Sequence, residues 1–425
     1  MCVQSTSSDE RVTVCRDPEA QAVGSLSPCV HTEPFAFDYS PAEIHYGRDT
    51  VGELESVLAA HDRSRALVVC GRNTGANRAL MDPVEAGLGV AHADTFRRTT
   101  PGKRLRAAAA AADRARDVGA DTLVPVGGGA TLDVATVAAV LLADGREEAT
   151  ARSEVRETGG LAPPSNDRPG LVPVPTTLAG ADLSSIAGIS VRFEDGVVAS
   201  GVGDPQLMPD AVVYDPAAFA TTPQSVLAGS ACNGLNKAVE STYAANRTPV
   251  TDATARRALT YLGDALPSLF DGDGYDATAL DRAVAGVILA QYGVSQPDGS
   301  TLNVLHAFGH ALRDVFDLQQ GVAHAVVTPH ALRALFDAGV DPTPLAEGFG
   351  VPSDAVVDRV ATIRDALELP TTIRGATDRT ESAPAASDDI AAAARATAQD
   401  SLVDTVPPAF DLDATAAEEI LTAAW

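Results

Sequence analysis

The sequence predicts an α/β protein: a Rossmann-like, parallel, doubly wound sheet, followed from about residue 216 by an all-helical half. Three observations predict it. Short β-branched and apolar runs alternate with helical stretches up to residue 215, the signature of strands joined by crossover helices. One run, Thr122 to Val126, passes directly into Gly127-Gly128-Gly129 and then a long Ala/Val/Leu segment. From Asp215-Pro216 onward the apolar spacing reads as helix after helix, and no internal repeat is visible.

Residues 1–33 are polar and aperiodic, and read as a flexible N-terminal extension. Ordered structure is expected to begin at FAFDYSPAEIHYG, an alternating run closed by Gly47. Thr50 to His61 has amphipathic helical spacing (Val51, Leu54, Val57, Leu58), and RALVVC, Arg65 to Cys70, reads as a buried strand. Gly71 to Gly75 reads as a turn. Leu105 to Val118 is an alanine-rich helix leading into the Thr122–Val126 strand. Gly145 to Gly170, charged and rich in Pro and Gly, reads as a surface loop. Leu171 to Gly180, LVPVPTTLAG, is a strand ending in a hydroxyl-rich turn, and Ser190–Val198 and Ala211–Tyr214 are further strand pieces. The predicted division is therefore 34–215 for the α/β part and 216–425 for the helical part, which a Ser/Ala/Pro/Asp-rich loop at about 375–388 interrupts.

Composition narrows the function. With 425 residues and 45% hydrophobic content, the chain can bury two cores. No charge-free apolar run approaches the roughly 18–20 residues of a membrane span. The N-terminus lacks the basic-then-apolar layout of a secretory signal, so a cytoplasmic protein without a membrane partner is expected. A formal charge of −26 would repel nucleic acid. The five cysteines show no metal-type spacing, and three of them fall in the leading extension. Of 31 basic residues only Lys103 and Lys237 are lysine. Abundant acid with almost no lysine suits concentrated salt, where the Debye length is only about 3 Å at 1 M. A high-GC genome would also favour arginine.

Chemistry first suggests itself at the glycines. They let a ligand approach the backbone, and the helix behind them offers free N–H groups and a positive dipole end, which favour a phosphate. A tight strand-to-helix turn needs glycine as well. At the end of the neighbouring strand, where dinucleotide-binding sheets commonly carry an acid for the ribose, the chain has Gly71 followed by Arg72. An arginine there can accept the 2′-phosphate of NADP, or it can be a solvated turn residue. In the helical half, ACNGLNKAVESTYAA places Asn233, Lys237 and Glu240 on one helix face. LNVLHAFGHALRDV places His306 and His310 one turn apart, and Gln320, His324 and His330 follow. Two histidines so spaced fit a metal site, a proton-transfer site or a pair of hydrogen-bonded core residues.

Taken in order, GGGATLDVA, PTTLAGADLS, MPDAVVYDP, the ACNGLNKAVES helix and HAFGH–x9–QGVAHAVVTPH resemble the landmarks of the iron-containing alcohol dehydrogenase superfamily over about residues 34–425. Within it, PTTLAGADLSSIAGIS, the FAFDYSPAEIHYG start and the PPAFDLDATAAEEIL ending look most like the maleylacetate reductase branch. The resemblance implies a dehydroquinate synthase-like fold: an N-terminal nucleotide-binding domain, a C-terminal helical catalytic domain, and an active site between them. It implies reversible hydride transfer between NAD or NADP and a small carbonyl or alcohol compound, in a homodimer or larger assembly. By the family pattern Gly128, Gly129, Ala130, Asp133, Thr176, Thr177 and Leu178 would contact the cofactor. The family's metal-ligand positions fall on Asn233, Lys237, His306 and Gln320, of which only His306 is a good ligand. No catalytic metal is therefore expected. Lys237 would polarise the substrate oxygen in its place, His306 or His310 would supply the proton, and Asn233 and Gln320 would fix polar groups of the substrate. Lysine at this position departs from the maleylacetate reductase pattern. A sugar-phosphate cyclase of the dehydroquinate synthase type shares the fold, and a non-catalytic nucleotide-binding relative is the remaining alternative.

Overall fold

The computed structural model describes residues 35, 37, 39–296, 299–378 and 387–425. The expected extension at 1–33, and with it Cys2, Cys15 and Cys29, lies outside the described residues. So do parts of the FAFDYSPAEIHYG start and most of the 375–388 loop.

The strands form where β-branched runs can be buried on both faces. Chain order is β1 (Glu43–Tyr46), α1 (Leu54–Ala60), β2 (Ala66–Gly71), α2 (Arg72–Ala76), α3 (Arg78–Leu88), β3 (His92–Thr99), α4 (Leu105–Asp117), β4 (Thr122–Gly127), α5 (Gly129–Ala143), α6 (Glu148–Thr158), β5 (Gly170–Leu171) and β6 (Val174–Pro175). The main sheet is parallel with order β3-β2-β4-β5, and β6 also pairs with β4. Alternate side chains of β2 feed opposite cores. Leu67 and Val69 pack with α4 and α5, while Ala66, Val68 and Cys70 pack with Leu54, Leu58, Met81 and Leu88 of α1 and α3. That double cover makes β2 and β4 read as unbroken apolar runs rather than alternating ones.

An antiparallel hairpin, β7 (Ile186–Phe193) and β8 (Gly196–Gly203), follows, and β9 (Ala211–Tyr214) pairs in parallel with β1. The chain then becomes helical: α7 (Pro216–Phe219), α8 (Gln224–Ser241), α9 (Pro249–Ala265), α10 (Ala277–Val294), α11 (Val304–Phe316) and α12 (Gln320–Asp337), with smaller helices up to Ala423. Asp215 caps α7 by accepting from Ala217 N–H, Pro216 opens it, and Thr248 caps α9. Phe308, Leu312, Val326 and Leu332 build the core of this half around α8. No helix among the described residues is long and apolar enough to cross a membrane.

Several expectations need correction. The Gly145–Gly170 stretch holds helix α6, because Ala151 and Val155 supply a buried stripe within an otherwise polar sequence. Gly71–Gly75 is not a bare turn, since residues 72–76 wind into α2. The start of the 375–388 loop is also helical, within Ile373–Thr377. The helical half is not purely α, having short antiparallel pairs of 270–271 with 274–275 and of 295–296 with 299–300. The Thr50–His61 segment is two pieces, a 3₁₀ turn over Thr50–Glu53 and then α1.

Sheet and helices meet at a close backbone approach. At Gly234 on α8 a Cβ would run into the Leu178 carbonyl oxygen, so α8 lies directly against the Pro-Thr-Thr-Leu segment. Backbone, unlike a flexible side-chain tip, has little room to yield. Gly234→Ala is therefore expected to destabilise the protein by about 1–3 kcal/mol or more, measurable as a lowered denaturant midpoint. The same change at Gly145, where nothing lies within 4 Å, should act only through its backbone conformation.

Candidate active site

The glycine loop sits where β4 ends. Thr176 N–H donates to the Gly127 carbonyl (3.0 Å), and Thr131 and Leu132 N–H groups turn back to the Gly128 carbonyl as α5 starts. A Cβ on Gly128 would lie 2.9 Å from Thr177 Cγ2, so Thr177 stands against the loop. Leu178 N–H donates to Ser230 Oγ on α8 (3.0 Å). The structure thus brings Gly128, Gly129, Ala130, Thr176, Thr177 and Leu178 together between sheet and α8. Asp133 follows on α5. It lies one residue beyond the first turn of α5, because the helix begins immediately at Gly129. Its carboxylate is buried and receives the Lys103 ammonium. Burial raises its pKa, with Lys103 opposing.

On α8, from Leu227 to Ser241, every residue is buried except Asn233. Asn233 is therefore the opening of this helix toward solvent. One turn on, Lys237 is buried, and its ammonium donates to the Gly180 carbonyl and to Gln291 Oε1 (2.6 Å). Gly180 has φ 65°, a left-handed conformation that turns its carbonyl toward the amine at no steric cost. Gln291 in turn donates to the Leu183 carbonyl (2.9 Å), which holds its oxygen on Lys237. Burial lowers the Lys237 pKa to about 8, while Asp182, Glu240 and Asp133 pull it up.

Glu240 is not the partner of Lys237 in any direct contact. Its Oε1 accepts N–H groups of Asn303 (3.1 Å), Leu305 (2.7 Å) and His306 (3.0 Å), and its Oε2 faces His306 Nδ1 in a short hydrogen bond. The carboxylate thus caps the first turn of α11, where the dipole favours negative charge, and fixes the His306 ring. Burial pushes the Glu240 carboxyl up to about 7, and the three backbone donors work against it. His306 is held well below its ordinary value by burial and then by the Lys237 charge. Its Nε2 lies 3.1 Å from the Asn233 side-chain amide, the one group here that can turn end over end to match either tautomer.

The remaining histidines divide sharply. His310 is only half-buried, and its Nδ1 is 2.8 Å from Asp400. Burial acts to raise the Asp400 carboxyl, but hydrogen bonds from His310 and Leu402 N–H outweigh it and hold it below the usual carboxylate range. His324 is fully buried, edge-on to His306 with ring centroids 4.5 Å apart, and neither ring nitrogen has a hydrogen-bond partner among the described residues. Burial keeps it neutral, and its ring lies against Gly309. Gln320, the first residue of α12, also leans toward Gly309. Sequence reasoning missed Gly180, Gln291 and Asp400. Gln291 is a polar residue on the buried face of α10, a signal a helical wheel can show; the other two carry none.

A divalent ion does not fit this donor set. Asn233 and Gln320 are neutral amides, Lys237 is a cation, and His306 is already engaged on both nitrogens. Among the described residues no group of three or more His, Cys, Asp or Glu side chains is placed to hold a metal.

A parallel sheet with a glycine loop at its C-terminal edge, facing a helical half that carries ionisable groups, is the architecture of a nucleotide-binding α/β protein joined to a helical half. The iron-containing alcohol dehydrogenase model matches residues 41–216, and the C-terminal model of the Fe-containing alcohol dehydrogenase family matches 227–424. The chain belongs to the iron-containing alcohol dehydrogenase family, near its maleylacetate reductase branch, and is an oxidoreductase. It is similar to the maleylacetate reductase of Sphingobium indicum, with 29% identity over 70% of this chain and 74% of that one. Maleylacetate reductase 2 of Cupriavidus pinatubonensis is also 29% identical, over 75% of this chain and 79% of its own. In fold it is similar to the sulfoacetaldehyde reductase of Bifidobacterium kashiwanohense in complex with NAD+, with a TM-score of 0.80 at 18% identity, covering 92% of this chain and 99% of that one.

The Glu240 arrangement has a spectroscopic consequence. In Glu240→Gln the amide oxygen can keep the three backbone donors, but its NH2 then meets His306 Nδ1 as a donor. The ring proton should move from Nδ1 to Nε2, visible in ¹⁵N NMR of the imidazole. Unchanged ring shifts would mean that Glu240 does not set the tautomer.

Proposed function

We propose that this protein is a nicotinamide-dependent reductase or dehydrogenase acting on a small carbonyl or alcohol compound, and that it works without a metal ion. The observation that carries the reading is the Lys237 ammonium at the family's metal position, held by Gly180 and Gln291. An ammonium has three donors. Two are used by the protein, leaving one for a substrate oxygen.

The glycine loop, Thr176, Thr177 and Leu178 would hold the dinucleotide, whose bound nicotinamide supplies or accepts the hydride. The work of this chain is electrostatic. As charge grows on the substrate oxygen, Lys237 stabilises it with a fixed positive group in a water-poor site, the task a Lewis-acid metal performs elsewhere. Asn233, half-buried on α8, orients the substrate's polar group. His310, open to solvent and tied to Asp400, exchanges the proton, whereas His306 is committed to Glu240 and Asn233. The names of the relatives make maleylacetate the first compound to try, beside other small keto acids, ketones and aldehydes.

Lys237→Ala is expected to lower kcat by on the order of 10² or more, the usual cost of losing one oxyanion donor, with dinucleotide still bound. The reading also fixes a pH dependence. A lysine with pKa lowered to about 8 is charged below that pH and loses its charge above it, so kcat should fall as pH rises through about 8. In Lys237→Arg that alkaline limb should disappear, whatever the absolute rate, because a guanidinium stays charged. An alkaline limb persisting in the arginine variant would assign it to another group.

Metal independence has its own check. Prolonged dialysis against a chelator, followed by metal analysis, should leave activity unchanged. Loss of turnover restored by iron or zinc would refute that half of the proposal.

A further inference from the structure

The two histidines of α11 repeat one arrangement with different endings. Each turns its Nδ1 to a carboxylate from outside the helix, His306 to Glu240 of α8 and His310 to Asp400 (2.8 Å). At His306 the second nitrogen is also taken, by the Asn233 amide. At His310 no hydrogen bond occupies Nε2 among the described residues, and the side chain is 35% exposed. Of the two rings, only the second has a nitrogen free to exchange a proton.

Asp400 is placed by a brace from the C-terminal part of the chain. The helix Ser387–Ala398 packs along α11, and the chain then turns through Asp400 into the 3₁₀ turn Ser401–Thr405. Asp400 N–H donates to the Thr397 carbonyl (3.1 Å), and its Oδ1 accepts from Leu402 N–H (2.9 Å) as the N-cap of that turn. At the other end of the turn, the Thr405 hydroxyl donates to the Leu302 carbonyl (2.6 Å), and its carbonyl accepts from Ala245 N–H (3.1 Å). The segment is therefore tied to the approach to α11 and to the residues just past α8, the two helices that carry the site.

Capping uses one oxygen of Asp400. The other, Oδ2, meets the ring, and asparagine caps as well as aspartate does, so the cap alone does not call for a charge. Burial acts to raise the carboxyl, yet the bonds from His310 and Leu402 N–H hold it below the usual range, and the ring faces an anion. The other titratable groups near the ring, His306 on its own helix and His324 on α12, are bases kept uncharged by burial. Asp400 is thus the one anion in contact with His310 among the described residues. A carboxylate only accepts. Nδ1 must then carry a proton in both charge states of the ring, and Nε2 is the atom that loses and gains one.

We propose that Asp400 is a positioning residue for proton exchange: its carboxylate pins the Nδ1 proton of His310 and leaves Nε2 to give and take the proton of the substrate oxygen. The proposal rests on the reading of His310 as the proton-exchanging group. On reduction, the oxygen that has gained charge takes the Nε2 proton from the imidazolium, giving the alcohol and a neutral ring. Asp400 stabilises the imidazolium before the transfer and fixes the tautomer after it. Water at the exposed edge returns the proton, and oxidation runs the same steps backwards.

Asp400→Asn separates the cap from the charge. Its amide oxygen can still accept from Leu402 N–H, and its NH2 then meets Nδ1 as a donor. ¹⁵N NMR of the full-length protein should show neutral His310 protonated on Nδ1. In the variant the proton should move to Nε2, with the fold intact by circular dichroism. Turnover is measured over a panel of small keto acids, ketones and aldehydes that begins with maleylacetate, with NADH and NADPH both supplied. Asp400→Asn should lower kcat by about tenfold or more, the scale of general acid–base catalysis, and change KM by less than about twofold. His310→Ala should fall at least as far, and Asp400→Asn should cost nothing further in that background. An Nε2–H tautomer in the unaltered protein, or a ring proton unmoved in the variant, would overturn the proposal. So would a moved proton with normal kcat, and that result would leave His310 in its role. His310→Ala at full rate, or a protein that turns over none of the panel, would instead remove the reading on which the proposal stands, and the proposal with it.

Discussion

The buried ammonium of Lys237 is the interaction on which the arrangement of this protein turns. A cation taken from water is costly unless its donors are satisfied. Here the acceptors come from two separate parts of the chain, the Gly180 turn that follows the sheet segment and Gln291 on α10. A single charge on α8 therefore fixes a loop from the sheet half against two helices. Neither acceptor is a carboxylate, so the positive charge is solvated without being neutralised in contact. Its field remains available to a bound oxygen, which a direct ion pair with Asp or Glu would have quenched.

Glu240 makes this possible by having other work. It lies three residues beyond Lys237 on the same helix face and would be the obvious counter-ion. The start of α11 takes it instead, with three backbone donors and the His306 ring occupying both oxygens. Those donors would be unsatisfied and buried without it. Asp182, the other near acid, is buried and accepts from the Tyr214 hydroxyl. The acids close to the amine thus act through space rather than through contact, keeping it charged near neutral pH without taking any of its hydrogens.

Much of this was legible in the residues because the signals are local. The runs TLVPV and RALVVC declare buried parallel strands, the glycines mark the turn into α5, and i, i+4 spacing sets Asn233 above Lys237. The part that was not legible is long-range. Nothing near Gly180 or Gln291 announces that they converge on an amine, 57 and 54 residues away respectively. Helix α6 was hidden because a stripe of only Ala151 and Val155 is too weak a periodicity against five charged residues in its length. His306 and His310 looked equivalent at one-turn spacing. Only their partners, Glu240 in the core and Asp400 near the surface, separate them. The identity of Lys237 as an isolated cation was readable in type, since lysine is so scarce, but not in environment.

In the proposed mechanism, an amine in place of a divalent ion changes more than the source of charge. The amine is a single positive charge, so at a given distance it polarises an oxygen less than a divalent cation does. It compensates by being a hydrogen-bond donor of fixed direction, and by lying where burial strengthens each interaction. It is also titratable. Burial that strengthens its field also draws its pKa down toward working pH, so the gain cannot be raised without limit. The distant ring of Asp182, Glu240 and Asp133 sets the balance between these two effects. Lys103, tied to Asp133, lowers the Lys237 pKa by like-charge repulsion. The two lysines of the chain are thereby coupled through one carboxylate at the end of the glycine loop. Lys103 therefore acts on Lys237 in two opposed ways: it holds Asp133 ionised against burial, which supports the charge of the amine, and it repels that charge directly.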